Sequence, residues 1–220
     1  GSCEFVEKGN FRKGSGLKLS MQRELDYFTI EHSYGGNQDW FWDPMMKIGG
    51  CAALTACDSC IYLDCYKGTK NLYPFEKTAL TKKDYQRFGM KMKPYLKPRK
   101  NGVDALDIYI EGFGKYLADQ GCDSVRMTPL FGTEKASKAK EALMGQIDKG
   151  FPLPCLVLKH KNPMFKDYVW HWFLLTGYDT AGDSCMTKAV TYGEWQWLDM
   201  DELWDTGFEK KGGLILYDMR

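Results

Sequence analysis

Cys51 follows Gly49-Gly50 and opens the run Ala52-Ala53-Leu54-Thr55-Ala56. Small and apolar residues then continue through Ile61-Tyr62-Leu63, which predicts a buried helix running to about Lys67 and stopping at Gly68. A thiol on the first turn of a helix faces unpaired backbone N–H groups and the positive end of the helix dipole. Such a setting favours the thiolate, the nucleophilic form. The competing reading is a small packed residue without chemistry, because free cysteine is among the most buried types. His171 is the second group of interest. It stands between Trp170 and Trp172 at the head of an apolar run, where an imidazole needs a hydrogen-bond partner. Taken alone, it is equally well a core histidine bonded to a carbonyl. A helix-start thiol and a strand-start imidazole about 120 residues later are together the two parts of nucleophilic catalysis. The imidazole takes the thiol proton, and a third polar group orients the ring. The other histidines carry no such signal. His32 sits in a strand-like alternation, and His160 stands beside Lys161 and Asn162.

Eight cysteines occupy positions 3, 51, 57, 60, 65, 122, 155 and 185. Cys57 and Cys60 have the CxxC spacing of redox and metal sites, and Cys65 follows. No second CxxC or histidine pair completes four ligands nearby. Reduced, packed thiols are therefore expected, with a reducing, cytoplasmic setting and no metal. Lys+Arg 30 against Asp+Glu 29 leaves a formal net charge of +1, so no global field favours nucleic acid or an anionic membrane. A signal-peptide pattern is not seen, nor is an apolar run of about 18 residues, the minimum for a span. The basic residues Lys91, Lys93, Lys97, Arg99 and Lys100 cluster without a glycine-rich phosphate loop and read as a solvated face.

These groups need a scaffold, and the pattern supplies one. Residues 26–32 alternate as an edge strand. Tyr34 to Pro44 is a loop holding Asn37, Gln38 and the aromatics Trp40, Phe41 and Trp42. Thr81 caps a helix to Met92, and Val103–Gln120 is amphipathic and stopped by Gly121. Val125–Phe131 reads as a strand, and Thr133 caps a helix from Glu134 to about Lys149, ended by Gly150. Strand patterns then dominate: 151–159, 168–178, 185–192 and 195–198, a helical turn at 199–204, and a last strand at 214–217. Continuous apolarity in 168–178 predicts burial on both faces. The expectation is a single α+β domain, with a helical half at about 34–150 and a sheet half at about 151–220.

Gly50-Cys51-Ala52-Ala53, Lys149-Gly150-Phe151-Pro152 and His171-Trp172-Phe173-Leu174-Leu175-Thr176-Gly177-Tyr178 resemble the corresponding motifs of papain-like cysteine peptidases. The match is to the bacterial branch that includes bacteriocin-leader-processing peptidases, and it covers roughly residues 34–200. Thr191-Tyr192-Gly193 is similar to the end of the Asn-Ser-Trp-Gly word that carries the third catalytic residue in papain. The resemblance implies a papain-like fold with a central Cys-bearing helix packed on an antiparallel sheet. It further implies a Cys51–His171 pair that cleaves a peptide or amide bond through a thioester, without a cofactor. Two positions depart from the family. Met45 stands where an oxyanion-hole Gln is common, leaving Gln38 or Asn37 as the amide donor. Val190 stands at the orienting Asn, leaving Thr191, or Asp179 or Asp183 in the turn before that strand. Trp40, Trp42 and Trp170 are the expected cleft walls. An amine in place of water would make the chain an acyltransferase. A domain that kept the fold without turnover would bind only, and Cys57, Cys60 and Cys65 leave a metal or redox protein as a third reading. Oligomeric state is not legible.

Overall fold

The computed structural model describes residues 9–13, 19–100 and 102–220. Strands β1 (Gly9–Lys13) and β2 (Leu19–Glu24) are followed by a small hairpin, β3 (Thr29–Ile30) and β4 (Ser33–Tyr34). A 3-10 turn at Gln38–Trp40 leads to helix α1 (Pro44–Gly49) and then to α2 (Cys51–Tyr66). Next come α3 (Lys82–Met92), α4 (Leu106–Asp119), β5 (Val125–Phe131) and α5 (Ala136–Asp148). The rest is β6 (Leu153–Val157), β7 (His171–Asp179), β8 (Met186–Thr191), β9 (Glu194–Asp199), α6 (Met200–Trp204) and β10 (Gly213–Met219).

Helix α2 is buried along every face from Cys51 to Leu63, as its small residues predict: alanines, cysteines and Ser59 let neighbours approach from all sides. Thr81 caps α3 as expected, its Oγ1 accepting the Asp84 N–H at 3.1 Å. Three boundaries differ from the sequence reading, each for a local reason. Helix α4 begins at Leu106 because Ala105 is extended and the Val103 carbonyl accepts the Trp172 indole N–H at 2.7 Å. Helix α5 begins at Ala136 and Thr133 does not cap it. Instead Glu134 N–H closes a turn onto the Phe131 carbonyl at 3.0 Å. Strand β7 begins at His171 because Trp170 takes a positive φ of 51° and breaks the extended path. The expected edge strand at 26–32 is only the β3–β4 hairpin, with Glu31 at φ 55° and an exposed His32 in its turn.

Among the described residues, eight strands form one antiparallel sheet on the path β1-β2-β7-β6-β10-β5, with β8 on the other edge of β7 and β9 beyond it. β6 and β2 share one edge of β7 end to end, with registers Val157↔His171 to Leu153↔Leu175 and then Glu24↔Gly177 to Gln22↔Asp179. The sheet thus recruits the N-terminal strands as well as the second half, within an α+β architecture. Helices α2, α3 and α4 cover one face, and α5 and α6 pack with the other cluster of buried side chains. Alternation along β7 explains its unbroken apolarity: Trp172 enters the helical cluster while Phe173 and Leu175 enter the opposite one.

Cys51, Cys57, Cys60, Cys155 and Cys185 are buried free thiols and Cys122 is a half-buried one, whereas Cys65 is disulfide-bonded. Cys65 departs from the expectation of uniformly reduced thiols, on which the reducing compartment rested. Cys3 lies outside the described residues. No helix among those described is long and apolar enough to cross a membrane.

Candidate active site

Gly50 caps α2 without a side-chain hydrogen bond and delivers Cys51 to the first helical position. Cys51 is 6% exposed. Burial raises its thiol pKa above the ordinary value, and the nearby backbone N–H groups of Trp172, Ala52 and Cys51, which favour the thiolate, only partly offset it. The sequence expectation of a lowered thiol pKa is therefore reversed: desolvation of the sulfur outweighs the helix terminus.

Trp172, which lines a cavity with Cys51, is next in sequence to His171. The imidazole Nε2 is 2.7 Å from Thr191 Oγ1, and its ring stacks on Tyr192 at 4.9 Å with an interplanar angle of 6°. Nε2 is thus committed to Thr191, and Nδ1 is the ring nitrogen left for another partner. Enclosure between Tyr192 and the strand lowers the His171 pKa to about 4, so the ring is neutral at pH 7. No hydrogen bond runs directly from Cys51 to the imidazole among the described residues; both groups rest uncharged. Thr191, Tyr192, Val190, Trp172, Gln38 and Cys51 line one small cavity of about 30 Å³, and His171 contacts two of these residues, Thr191 and Tyr192.

The loop over that cavity is tied down from two sides. Asn37 Nδ2 donates to the Tyr192 carbonyl at 3.1 Å, and Asn37 Oδ1 accepts the Asp39 N–H at 2.9 Å. Gln38 is buried, and its Nε2 donates to the Lys47 carbonyl at 2.9 Å, at the end of α1. From below, Asp58 holds Gly36. Its Oδ1 accepts the Gly36 N–H at 3.1 Å and the Tyr85 hydroxyl at 2.7 Å, and its Oδ2 accepts the Tyr27 hydroxyl. Asp58 lies two helical turns from Cys51 on α2 and lines the same cavity. Burial raises its pKa to about 6 against the effect of these three donors.

Gly36 has no room for a side chain, because a methyl there would overlap the Tyr85 ring. Gly36→Ala is expected to destabilise the fold by roughly 1–3 kcal/mol through that overlap. A lower urea midpoint with unchanged slope is the check, and a neutral result would mean that Tyr85 yields without strain.

The structure gathers Cys51, Gln38 and Thr191 around one cavity and joins His171 to it through Thr191. Other expected residues lie elsewhere. Trp40 packs edge-on against Tyr85 at 5.7 Å, half-buried in the helical core. Trp42 is 96% exposed and lines a separate groove with Phe75 and Met90. Trp170 is exposed at the bend before β7 and is not among the residues lining the Cys51 cavity. Met45 is exposed on α1, and Asp179 accepts the Ala181 N–H in its own turn. Cys57 and Cys60 are sealed in the helical core, and no cluster of three or more His, Cys, Asp or Glu among the described residues is arranged to hold a metal. Sequence reasoning passed over Tyr192 as a ring cover and Asp58 as an anchor. The Gly35-Gly36 doublet was the available sign of close approach. Compared with family models, curated proteins and solved structures, the chain matches none.

Proposed function

We propose that this chain is a papain-like cysteine peptidase or amidase acting through Cys51 and His171. The observation that carries the reading is the shared β7 link: Cys51 and Trp172 line one cavity with Thr191, whose Oγ1 lies 2.7 Å from Nε2 of the adjacent His171. As Sγ attacks the substrate carbonyl, the neutral imidazole takes the thiol proton, and the carbonyl oxygen becomes an oxyanion. The Cys51 N–H and the Gln38 amide are the donors nearest to hand, with Gln38 exchanging a bond to the α1 carbonyls for one to the oxyanion. Collapse breaks the C–N bond, the imidazolium proton leaves with the amine, and a thioester remains on Cys51. Water, deprotonated by His171, then releases the acid and restores the thiol. Asn37 is occupied at both ends of its amide and serves the loop rather than the oxyanion.

A panel of peptidyl vinyl sulfones tests this, with adducts mapped by mass spectrometry. The expected result is an adduct on Cys51 that is lost in His171→Ala, with the half-buried free thiol of Cys122 as the internal comparison. Adducts confined to Cys122 in both proteins would overturn the reading. They would favour the second one, a binding domain without turnover. The tight burial of Cys51 and the 30 Å³ cavity beside it are what favour that alternative.

A further inference from the structure

We propose that the face formed by α1 and the adjoining side of α3 docks onto an anionic lipid bilayer. The proposal is independent of the catalytic reading. Four large apolar side chains project from this face: Trp42 at 96% exposure, Ile48 at 84%, Met45 at 51% and Met90 at 43%. Two contacts make the surface continuous. Asp43 pairs with Lys93, and Gly49 packs against Pro98, which draws the basic segment 93–100 alongside α1. Trp42 and Met90 also line one groove with Lys83, Arg87 and Lys91, which recur at helical spacing along α3.

Charge is concentrated here. Residues 42–49 and 82–100 hold nine Lys and Arg against two Asp, in a chain whose formal net charge is only +1. Both aspartates are already paired, Asp43 with Lys93 and Asp84 with Arg87. The rest of the chain is correspondingly acidic, so an anionic surface would attract this face and repel the others. The apolar and basic elements are complementary in kind to a bilayer interface. An indole sits at headgroup level, an aliphatic tip reaches the acyl boundary, and the lysines and arginines meet anionic headgroups. Trp42 at 96% exposure and Ile48 at 84% stand almost free of their own protein, as inserting side chains do.

The test is co-sedimentation of the full chain with phosphatidylcholine vesicles, with and without about 30% phosphatidylserine, at low and high salt. Expected are binding to the anionic vesicles only and weakening by salt. A fall in partitioning on the order of tenfold or more is expected for Trp42→Ala/Ile48→Ala, with a comparable fall for Lys83→Glu/Lys91→Glu. All four positions are exposed, so circular dichroism should report an unchanged fold. Equal binding to neutral vesicles, no binding to either, or indifference to both double variants overturns the proposal. So does an acidic polypeptide bound at this face while vesicles are ignored, because the surface would then belong to a protein partner.

Discussion

In His171→Ala, the rate at which a substrate-like electrophile modifies Cys51 is expected to fall by 10²- to 10⁴-fold, the usual contribution of a positioned general base. The effect should be large because both groups rest uncharged. Burial holds the Cys51 thiol above its ordinary pKa and the His171 ring down at about 4, so no thiolate stands ready before substrate arrives. In the proposed mechanism proton transfer must therefore accompany attack, with the imidazole as the base. Thr191→Val removes the hydroxyl that engages Nε2 and should cost on the order of tenfold, through the tautomer and tilt of the ring. The pH profile separates this arrangement from a resting ion pair. A neutral base with pKa about 4 stays competent down to mildly acidic pH, and the rate should decline only as the ring protonates near that value. Simple alkylation by iodoacetamide should instead be slow at pH 7 and rise with the thiol, later than for an ordinary cysteine. Fast alkylation at pH 6 that depends on His171 would show that a thiolate–imidazolium pair is present after all.

The direction of the Cys51 shift marks where sequence reasoning reaches its limit. Helix α2 was legible almost to the residue, because Gly49-Gly50 and the small run after Cys51 permit little else. The two-faced burial of β7 followed from its apolar run, and Thr191 was legible only as one candidate among several. How deeply Cys51 would be buried depends on β7 lying across the helix start, which is a tertiary fact with no local signal. Strand β2 joins the sheet by pairing with the last residues of β7 and carries β1 on its outer edge, and their charged, short segments carried no clear period. Val103 and Glu134 read as helical, yet their carbonyls accept the indole N–H groups of Trp172 and Trp204, bonds formed across 69 and 70 residues of chain. Asp58 was hidden for a similar reason. A carboxylate on the buried face of a helix looks like an error until Tyr27, Tyr85 and the Gly36 amide arrive from three other segments to satisfy it.

Asp58 and His171 should also contribute two slopes to the wild type's stability between about pH 4 and 6 that oppose and nearly cancel each other. Burial raises the folded pKa of Asp58 from 3.8 to about 6, so in that window the folded state holds a proton that the unfolded chain has released. Its contribution is complete below 3.8 and is lost as pH rises to about 6. Burial lowers the folded pKa of His171 from 6.5 to about 4, so the unfolded chain is the one that binds the extra proton. That contribution is complete above 6.5 and is lost as pH falls to about 4. Each shift of about two units corresponds to about 3 kcal/mol, and their sum nearly cancels. Single substitutions unmask the halves. Asp58→Asn can keep the Tyr85 and Gly36 bonds on its Oδ1 while its amide donates to the Tyr27 hydroxyl. It should therefore fold, and it should gain about 3 kcal/mol of unfolding free energy from pH 4 to 6.5. His171→Gln should show the opposite trend over the same range. Asp58→Ala leaves two buried hydroxyls and one N–H without their acceptor, at about 1–3 kcal/mol each, and should be the least stable of the three at every pH. Urea unfolding at unit steps of pH reads all of this. If Asp58→Asn and His171→Gln both track the wild type, neither group is desolvated as its burial requires, and the neutral resting pair inferred for the site goes with them.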